Sequence, residues 1–156
     1  MAGQTKKITI RPLEAGDLDA VIAIDTVTAG RARRGFFERR FAAAAKDPAR
    51  FVYVGAADGG RLKGFALVYI LAGEYGTAEK IAVLDAIGVE PEAQGQGIGR
   101  ALLSRIDETM REKNIGEMRT QSDWTSHALL GFLEAAGFEL SPWLVLSGDV
   151  SQPADW

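Results

Sequence analysis

Polar and apolar residues alternate from Lys7 to Arg11 (Lys-Ile-Thr-Ile-Arg), the period of a half-buried strand. The pattern then lengthens. Leu18, Val21, Ile22 and Ile24 repeat at helical spacing behind Asp17, a capping residue type, up to Gly30. A second helix is predicted from Arg33 to Lys46, with Phe37, Phe41, Ala44 and Ala45 on one stripe and Pro48 beyond its end. Phe51 to Ala56 and Leu62 to Leu71 read as strands joined at Asp58-Gly59-Gly60, a strong hairpin signal. After a turn at Gly73 to Gly76, Lys80 to Val89 reads as a fourth strand. A glycine-rich loop follows, then a helix with Ile98, Leu102, Ile106 and Met110 on one face, ended by Gly116. Glu117 to Gln121 suits a short strand, and a last helix runs from about Ser126 to Ala136 and stops at Gly137. Phe138 to Leu140 and Trp143 to Leu146 complete the predicted sheet.

That order, β-α-α-β-β-β-α-β-α-β-β, describes one mixed α/β domain over residues 1–156, a mostly antiparallel sheet flanked by helices. The chain of 156 residues shows no internal repeat, low-complexity stretch or linker. Eighteen basic and 21 acidic residues give a net charge of -3, which argues against a nucleic-acid partner. No stretch approaches the about 18 apolar residues of a membrane span, and no apolar signal core follows the start, so a cytoplasmic location is expected. There is no cysteine, which removes thiolate nucleophiles, disulfides and Cys-based zinc sites. A single histidine, His127, leaves too little for a metal cluster or a Ser-His-Asp triad, and no metal site is expected.

The chemistry concentrates in Glu90-Pro91-Glu92-Ala93-Gln94-Gly95-Gln96-Gly97-Ile98-Gly99. A strand, a glycine-rich turn and a helix start together make a phosphate cradle. Glycines let the backbone approach closely, successive N–H groups converge, and the helix N-terminus adds partial positive charge. A Walker A loop would need Lys-Ser/Thr after its last glycine, where Arg100-Ala101 stands. A dinucleotide fingerprint would need glycine at Arg100. The pattern present is Gln94-x-x-Gly97-x-Gly99 after a strand closing in Ile87-Gly88-Val89. A plain strand-to-helix turn does not need three alternate glycines.

On these residues the chain resembles the GNAT superfamily of acyl-CoA-dependent N-acyltransferases. Ile10-Arg11-Pro12 with Asp17-Leu18 looks like the family's opening, Val89-x-Pro91 through Leu103 like its central motif, and Phe132 to Phe138 like its closing box. The resemblance implies that acetyl-CoA is the co-substrate, held by Ile87, Gly88, Val89, Gln94, Gly95, Gln96, Gly97, Ile98, Gly99 and Arg100. In it the amides of Gly95 to Arg100 take the pyrophosphate, and the Val89 amide polarises the thioester carbonyl and stabilises the oxyanion. A splay between the fourth and fifth strands would admit the pantetheine arm. The implied reaction is direct acetyl transfer to a primary amine of a small molecule or protein. A non-catalytic acyl-CoA-binding module and a transferase of another acyl group stay open as alternatives. Dimerisation, common in the family, is compatible with the sequence.

The chain departs from the family at its acid and base positions. Where many members carry glutamate, asparagine and tyrosine, this sequence has Gln121, Ser126 and Leu133. Gln121 cannot be a base, and Leu133 cannot protonate a thiolate. Asp85, a carboxylate inside the apolar run Val83-Leu84-Asp85-Ala86-Ile87, is the candidate general base, set against a structural aspartate bound to a neighbouring loop. By strand alternation it shares a face with Ile87 and Val89. Ser126 is the second candidate catalytic residue, placed to hydrogen-bond the pantetheine or sulfur, or else an N-cap. His127, Trp124, Glu74 and Tyr75 are weaker candidates, each with a capping, packing or turn alternative. Arg31, Arg33, Arg34, Arg39 and Arg40 are read as a solvated helix face rather than an anion site.

Overall fold

The computed structural model describes residues 7–151. The chain divides into two compact units, Met1–Gln121 and Ser122–Trp156. The first holds five strands, β1 (Ile8–Pro12), β2 (Phe51–Asp58), β3 (Arg61–Ala72), β4 (Lys80–Val89) and β5 (Met118–Thr120), in that order across one sheet. It also holds α1 (Leu18–Ala29), α2 (Arg34–Lys46) and α3 (Ile98–Glu112). The first four strands pair antiparallel, and β5 joins β4 in parallel.

Two helices cover one face of the sheet. Val21, Ile22 and Ile24 of α1 and Phe37 of α2 form a core with Leu62, Phe65, Leu67 and Ala86. On the other face lies α3, whose Ile98 and Leu102 stand against the position where a Gly64 side chain would point. The two faces explain the near-continuous apolar reading of β3 and β4, since both sides of these strands are covered. The predicted hairpin is present. Gly59 and Gly60 both take positive φ, 57° and 86°, between the paired residues Asp58 and Arg61, the backbone of a two-residue hairpin turn.

Helix ends partly follow the sequence signals. Gly30 closes α1 in the left-handed conformation. Asp17 precedes α1 but gives it no side-chain cap; its carboxylate accepts from Arg11 at 2.7 and 2.9 Å and from the Glu14 amide at 2.7 Å. Gly116 does not close α3. Asn114 does so with φ 59°, and Ile115 N–H returns to the Met110 carbonyl at 2.9 Å. Asparagine tolerates this conformation better than other side-chain-bearing residues, so the true stop came two residues before the glycine.

The second unit contains α4 (His127–Ala135). Gly137, at φ 94°, completes its end, with Phe138 N–H reaching the Leu133 carbonyl and Gly137 N–H the Glu134 carbonyl. The strands expected at residues 138–140 and 143–146 are irregular backbone instead. Leu140, Leu144, Val145 and Leu146 are exposed. The β-like composition there meets an interruption at Ser141-Pro142, where proline removes a ladder donor. Among the described residues, that unit's nine-residue helix offers no strand to pair with. Among the described residues, no helix is long and apolar enough to cross a membrane.

Candidate active site

Pairing of β5 with β4 ends early. Ala82, Val83 and Leu84 face Met118, Arg119 and Thr120, and the Thr120 hydroxyl donates to the Leu84 carbonyl at 2.9 Å. Yet β4 continues to Val89. Residues 85–89 therefore keep β3 on one side and leave the other edge without a ladder partner among the described residues.

The register changes at the same place. Val68 faces Leu84 while Leu67 faces Ala86, so Asp85 is an extra residue with no partner on β3, a β-bulge. Beyond it, Glu90 N–H donates to the Lys63 carbonyl at 2.8 Å. Counting back by alternation turns the amides of 88 and 86 toward β3 and those of Val89 and Ile87 toward the open edge. The bulge also resets the side chains. Val89 and Ile87 pair with Gly64 and Ala66, on the α3 face. Asp85 points instead toward α2, so the expected shared face of Asp85, Ile87 and Val89 does not occur.

The glycine loop starts where that edge ends. Gln94 donates its side-chain amide to the Val89 carbonyl at 3.0 Å, tying the loop to the end of β4. Gly95 and Gly97 take φ 78° and 80°, which L side chains rarely adopt, and a side chain at either would meet open space. Gly97 is the N-cap of α3, with no side chain capping the helix. The backbone N–H groups from Gly95 through Arg100 have no acceptor among the described residues. Arg100 is exposed and makes no ion pair among them. Six unpaired donors, a 15-residue helix dipole and an unpaired arginine suit a diphosphate. Glu90, at the loop's entry, is clamped by Lys63 at 2.9 Å and Arg61 at 2.7 Å. The hydrogen bond from Lys63 holds its carboxyl below the usual carboxylate range.

The contacts between α2 and the bulge were less visible in the sequence. Asp85 accepts from Arg40 Nε at 2.5 Å and Nη2 at 3.4 Å. Its structural partner is thus α2, not a neighbouring loop. The Arg40 guanidinium lies 5.0 Å from the Phe36 ring centre and 5.5 Å from that of Tyr69. Arg33 also sits 5.3 Å from the Phe36 ring centre and grips Asp25 of α1 through two bonds, 2.5 and 2.9 Å. Asp25 is the one buried charged residue among those described. The arginine run is therefore not a uniform solvated face: Arg31 and Arg39 are exposed, but Arg33 and Arg40 are built into the fold. A signal existed for Asp25, which falls with Val21 and Ile22 on the apolar stripe of α1. None existed for the long-range pairing of Arg40. Tyr53 donates to the Arg40 carbonyl at 3.2 Å, and burial pushes its hydroxyl up to about 12.

The remaining candidates lie in the β3–β4 turn, just after β5, or in the second unit. Tyr75 is exposed at φ 52° beside Glu74 in the β3–β4 turn. In the second unit, Ser126 occupies the N-cap position of α4 without a side-chain cap bond, His127 and Trp124 are exposed, and Leu133 is buried. Gln121 is exposed just after β5.

The acetyltransferase (GNAT) family profile matches residues 18–138, most of the chain and all of the geometry just described. The chain belongs to this family. Over 140 residues it is 29% identical to a mycothiol acetyltransferase of Kocuria rhizophila, covering 85% of this chain but 46% of that protein. The chain thus spans about half the length of that curated relative. Its fold is similar to the ribosomal-protein-S18-alanine N-acetyltransferase of Escherichia coli, with TM-score 0.71, 23% identity, and coverage of 86% of this chain and 79% of the other. It is also similar to AAC(6')-Iy in complex with a CoA-S-monomethyl-acetylneamine bisubstrate analog, with TM-score 0.77, 15% identity, and coverage of 92% and 98%. GNAT proteins use acyl-CoA, and the unpaired amide run and open β4 edge fit such a donor.

Proposed function

We infer that residues 1–156 form one N-acetyltransferase domain that moves an acetyl group from acetyl-CoA to a primary amine of a small molecule or protein. One observation carries the reading: the amides of Gly95–Arg100 and the edge of β4 at Val89, both without partners among the described residues, meet at one place. Acetyl-CoA, when bound, supplies the acetyl group as a reactive thioester. The loop amides and Arg100 would hold its diphosphate, and Ile87, Gly88 and Val89 would lie along its arm. The edge-facing amides of Ile87 and Val89 are ready donors to the arm and to an acyl carbonyl oxygen, Ile87 being the nearer of the two to Asp85. Gln94 serves indirectly, by fixing the Val89 carbonyl and with it the loop. The names of the relatives support acetyl transfer, and that of the ribosomal-protein enzyme supports a nitrogen acceptor.

An alkylammonium has no lone pair and must lose a proton before it attacks. Asp85 remains the carboxylate for that task. With Arg40 occupying part of its lone-pair capacity, its role is to draw in the ammonium and pass the proton to water. Ser126 stands as a candidate donor to the leaving sulfur. The test is amine-dependent release of free CoA from acetyl-CoA across an amine library, with the acetylated amine identified by mass. CoA binding without amine-dependent release would instead indicate a binding module. Preference for a longer acyl-CoA in competition would change the acyl group assigned.

A further inference from the structure

The Arg40–Asp85 pair presents both of its charges at one place. The Arg40 side chain is 37% exposed and that of Asp85 13%. Asp85 takes the Nε side of the guanidinium, and Nη1 has no acceptor among the described residues. Phe36 and Tyr69 lie over the guanidinium, which leaves its edge as the route for a ligand. The bulge aims the Asp85 carboxylate into the same place, next to the stretch of β4 that β5 leaves open. Together with Asp25 and Arg33 the cluster holds two positive and two negative side chains, so its field is that of adjacent opposite charges rather than of a net charge.

We propose that Arg40 and Asp85 form a zwitterion-reading site, and that the acceptor is an amine bearing a carboxylate one carbon away, an α-amino acid or a molecule ending in one. Its ammonium would sit on Asp85 and its carboxylate on the free edge of Arg40, each opposite charge facing a partner at the spacing the pair already sets. An arginine edge suits a carboxylate because two N–H donors match two oxygens. A simple alkylamine would satisfy Asp85 alone and leave Arg40 unanswered. This rests on the acetyltransfer reading and names its substrate class.

The experiment compares α-amino acids with their carboxamides and with the corresponding alkylamines, by amine-dependent CoA release. Wild type should favour the carboxylates by about tenfold or more in kcat/KM, on the order of one charge-assisted hydrogen bond. Arg40→Gln should bring the acid-to-amide ratio near one, and Arg40→Lys should keep part of it. A purely structural Arg40 would lower both substrates together and leave the ratio unchanged, which overturns the proposal. Wild-type enzyme that acetylates alkylamines or amides as well as acids overturns it too, while leaving acetyltransfer standing, and this comparison needs no variant to fold. Absence of turnover with every amine would overturn both readings.

Discussion

Arg40 donates Nε to a carboxylate oxygen of Asp85 at 2.5 Å, joining α2 to the bulge of β4 across 45 residues of sequence. The contact decides what an acid inside an apolar strand can be. Asp85 is half-buried, and the contact with the Nε side of Arg40 gives its carboxylate a cationic partner from α2. The second pair, Asp25 with Arg33, shares the Phe36 ring with Arg40 and fastens α1 to the start of α2. The inner pair thus positions the helix that carries the outer one.

Breaking the inner pair should be costly. The Asp25 side chain is 3% exposed, so Arg33→Met would leave an uncompensated carboxylate in the core, at a cost of about 3–5 kcal/mol. Thermal unfolding should then fall by roughly 10 °C. The double variant Asp25→Leu with Arg33→Met should recover much of that loss, because both charges leave together. A double variant no more stable than Arg33→Met alone would show that the pair is not what couples α1 to α2.

The cofactor loop can be tested by linkage. If Gly95–Arg100 bind CoA in the native state only, CoA at about 100 times Kd should add about 2.7 kcal/mol of stability. Gly97→Glu should abolish the gain by placing a negative side chain at the helix N-terminus. Gly97→Ala separates backbone strain from binding, since φ 80° in open space should cost about 1 kcal/mol of stability. An unchanged wild-type melting curve in saturating CoA would remove the loop assignment.

Most of the scaffold was legible because its signals are local. The hairpin at Gly59-Gly60, the end of α1 at Gly30, the end of α4 at Gly137 and the apolar face of α3 each depend on residues near in sequence. The glycine loop was legible for the same reason. What was hidden depends on pairing across the chain. Alternation placed Asp85 with Ile87 and Val89, and only the register against β3 reveals the extra residue that separates them. Arg33 and Arg40 looked like neighbours in a solvated run because their partners lie on other elements. The expected closing strands at 138–140 and 143–146 had apolar residues of strand type, but composition cannot supply a ladder partner.

Acid should weaken the fold through its depressed carboxyls, of which Asp17 and Glu90 are held by ion pairs. A hydrogen bond from Arg11 lowers Asp17, and one from Lys63 lowers Glu90. A group lowered in the folded state stabilises above its unfolded value and loses that contribution as pH falls through its folded value. Stability should therefore be flat near neutrality and decline below about pH 4, where free carboxyls titrate. Asp17→Asn and Glu90→Gln should each make the decline shallower while lowering the neutral plateau. Urea unfolding from pH 7 to pH 3 measures both, and an unchanged acid slope in the double variant would refute the assignment.

Tyrosine ionisation should not shape activity near Arg40. Burial pushes Tyr53 up to about 12, above the pH range of the assay, and its hydroxyl serves the Arg40 carbonyl. Tyr53→Phe should cost on the order of 1 kcal/mol in stability for the lost hydrogen bond and leave the pH–rate profile unchanged from pH 6 to 10. An alkaline limb that disappears in this variant would assign Tyr53 a proton-transfer role and displace Asp85 from the centre of the mechanism.

The Asp85 carboxylate itself gives the last expectation. Asp85→Asn keeps the size of the side chain and one oxygen acceptor for Arg40, so α2 should stay in place. What it removes is the negative charge proposed to draw the ammonium and relay its proton. Turnover should fall by about 10²–10⁴-fold, the usual range for a lost acid–base group. CoA affinity should hold, because no loop amide touches Asp85 and its side chain faces α2 rather than the α3 side of the sheet. A structural aspartate would give the opposite pattern, with a lowered melting temperature and near-normal kcat in the folded fraction. Raising the assay pH separates the two further. If Asp85 takes part in removing the proton, the variant should recover part of its rate as more amine is already neutral, whereas a packing defect should show no such recovery. Folded Asp85→Asn that turns over within a few-fold of wild type would exclude the carboxylate from the reaction.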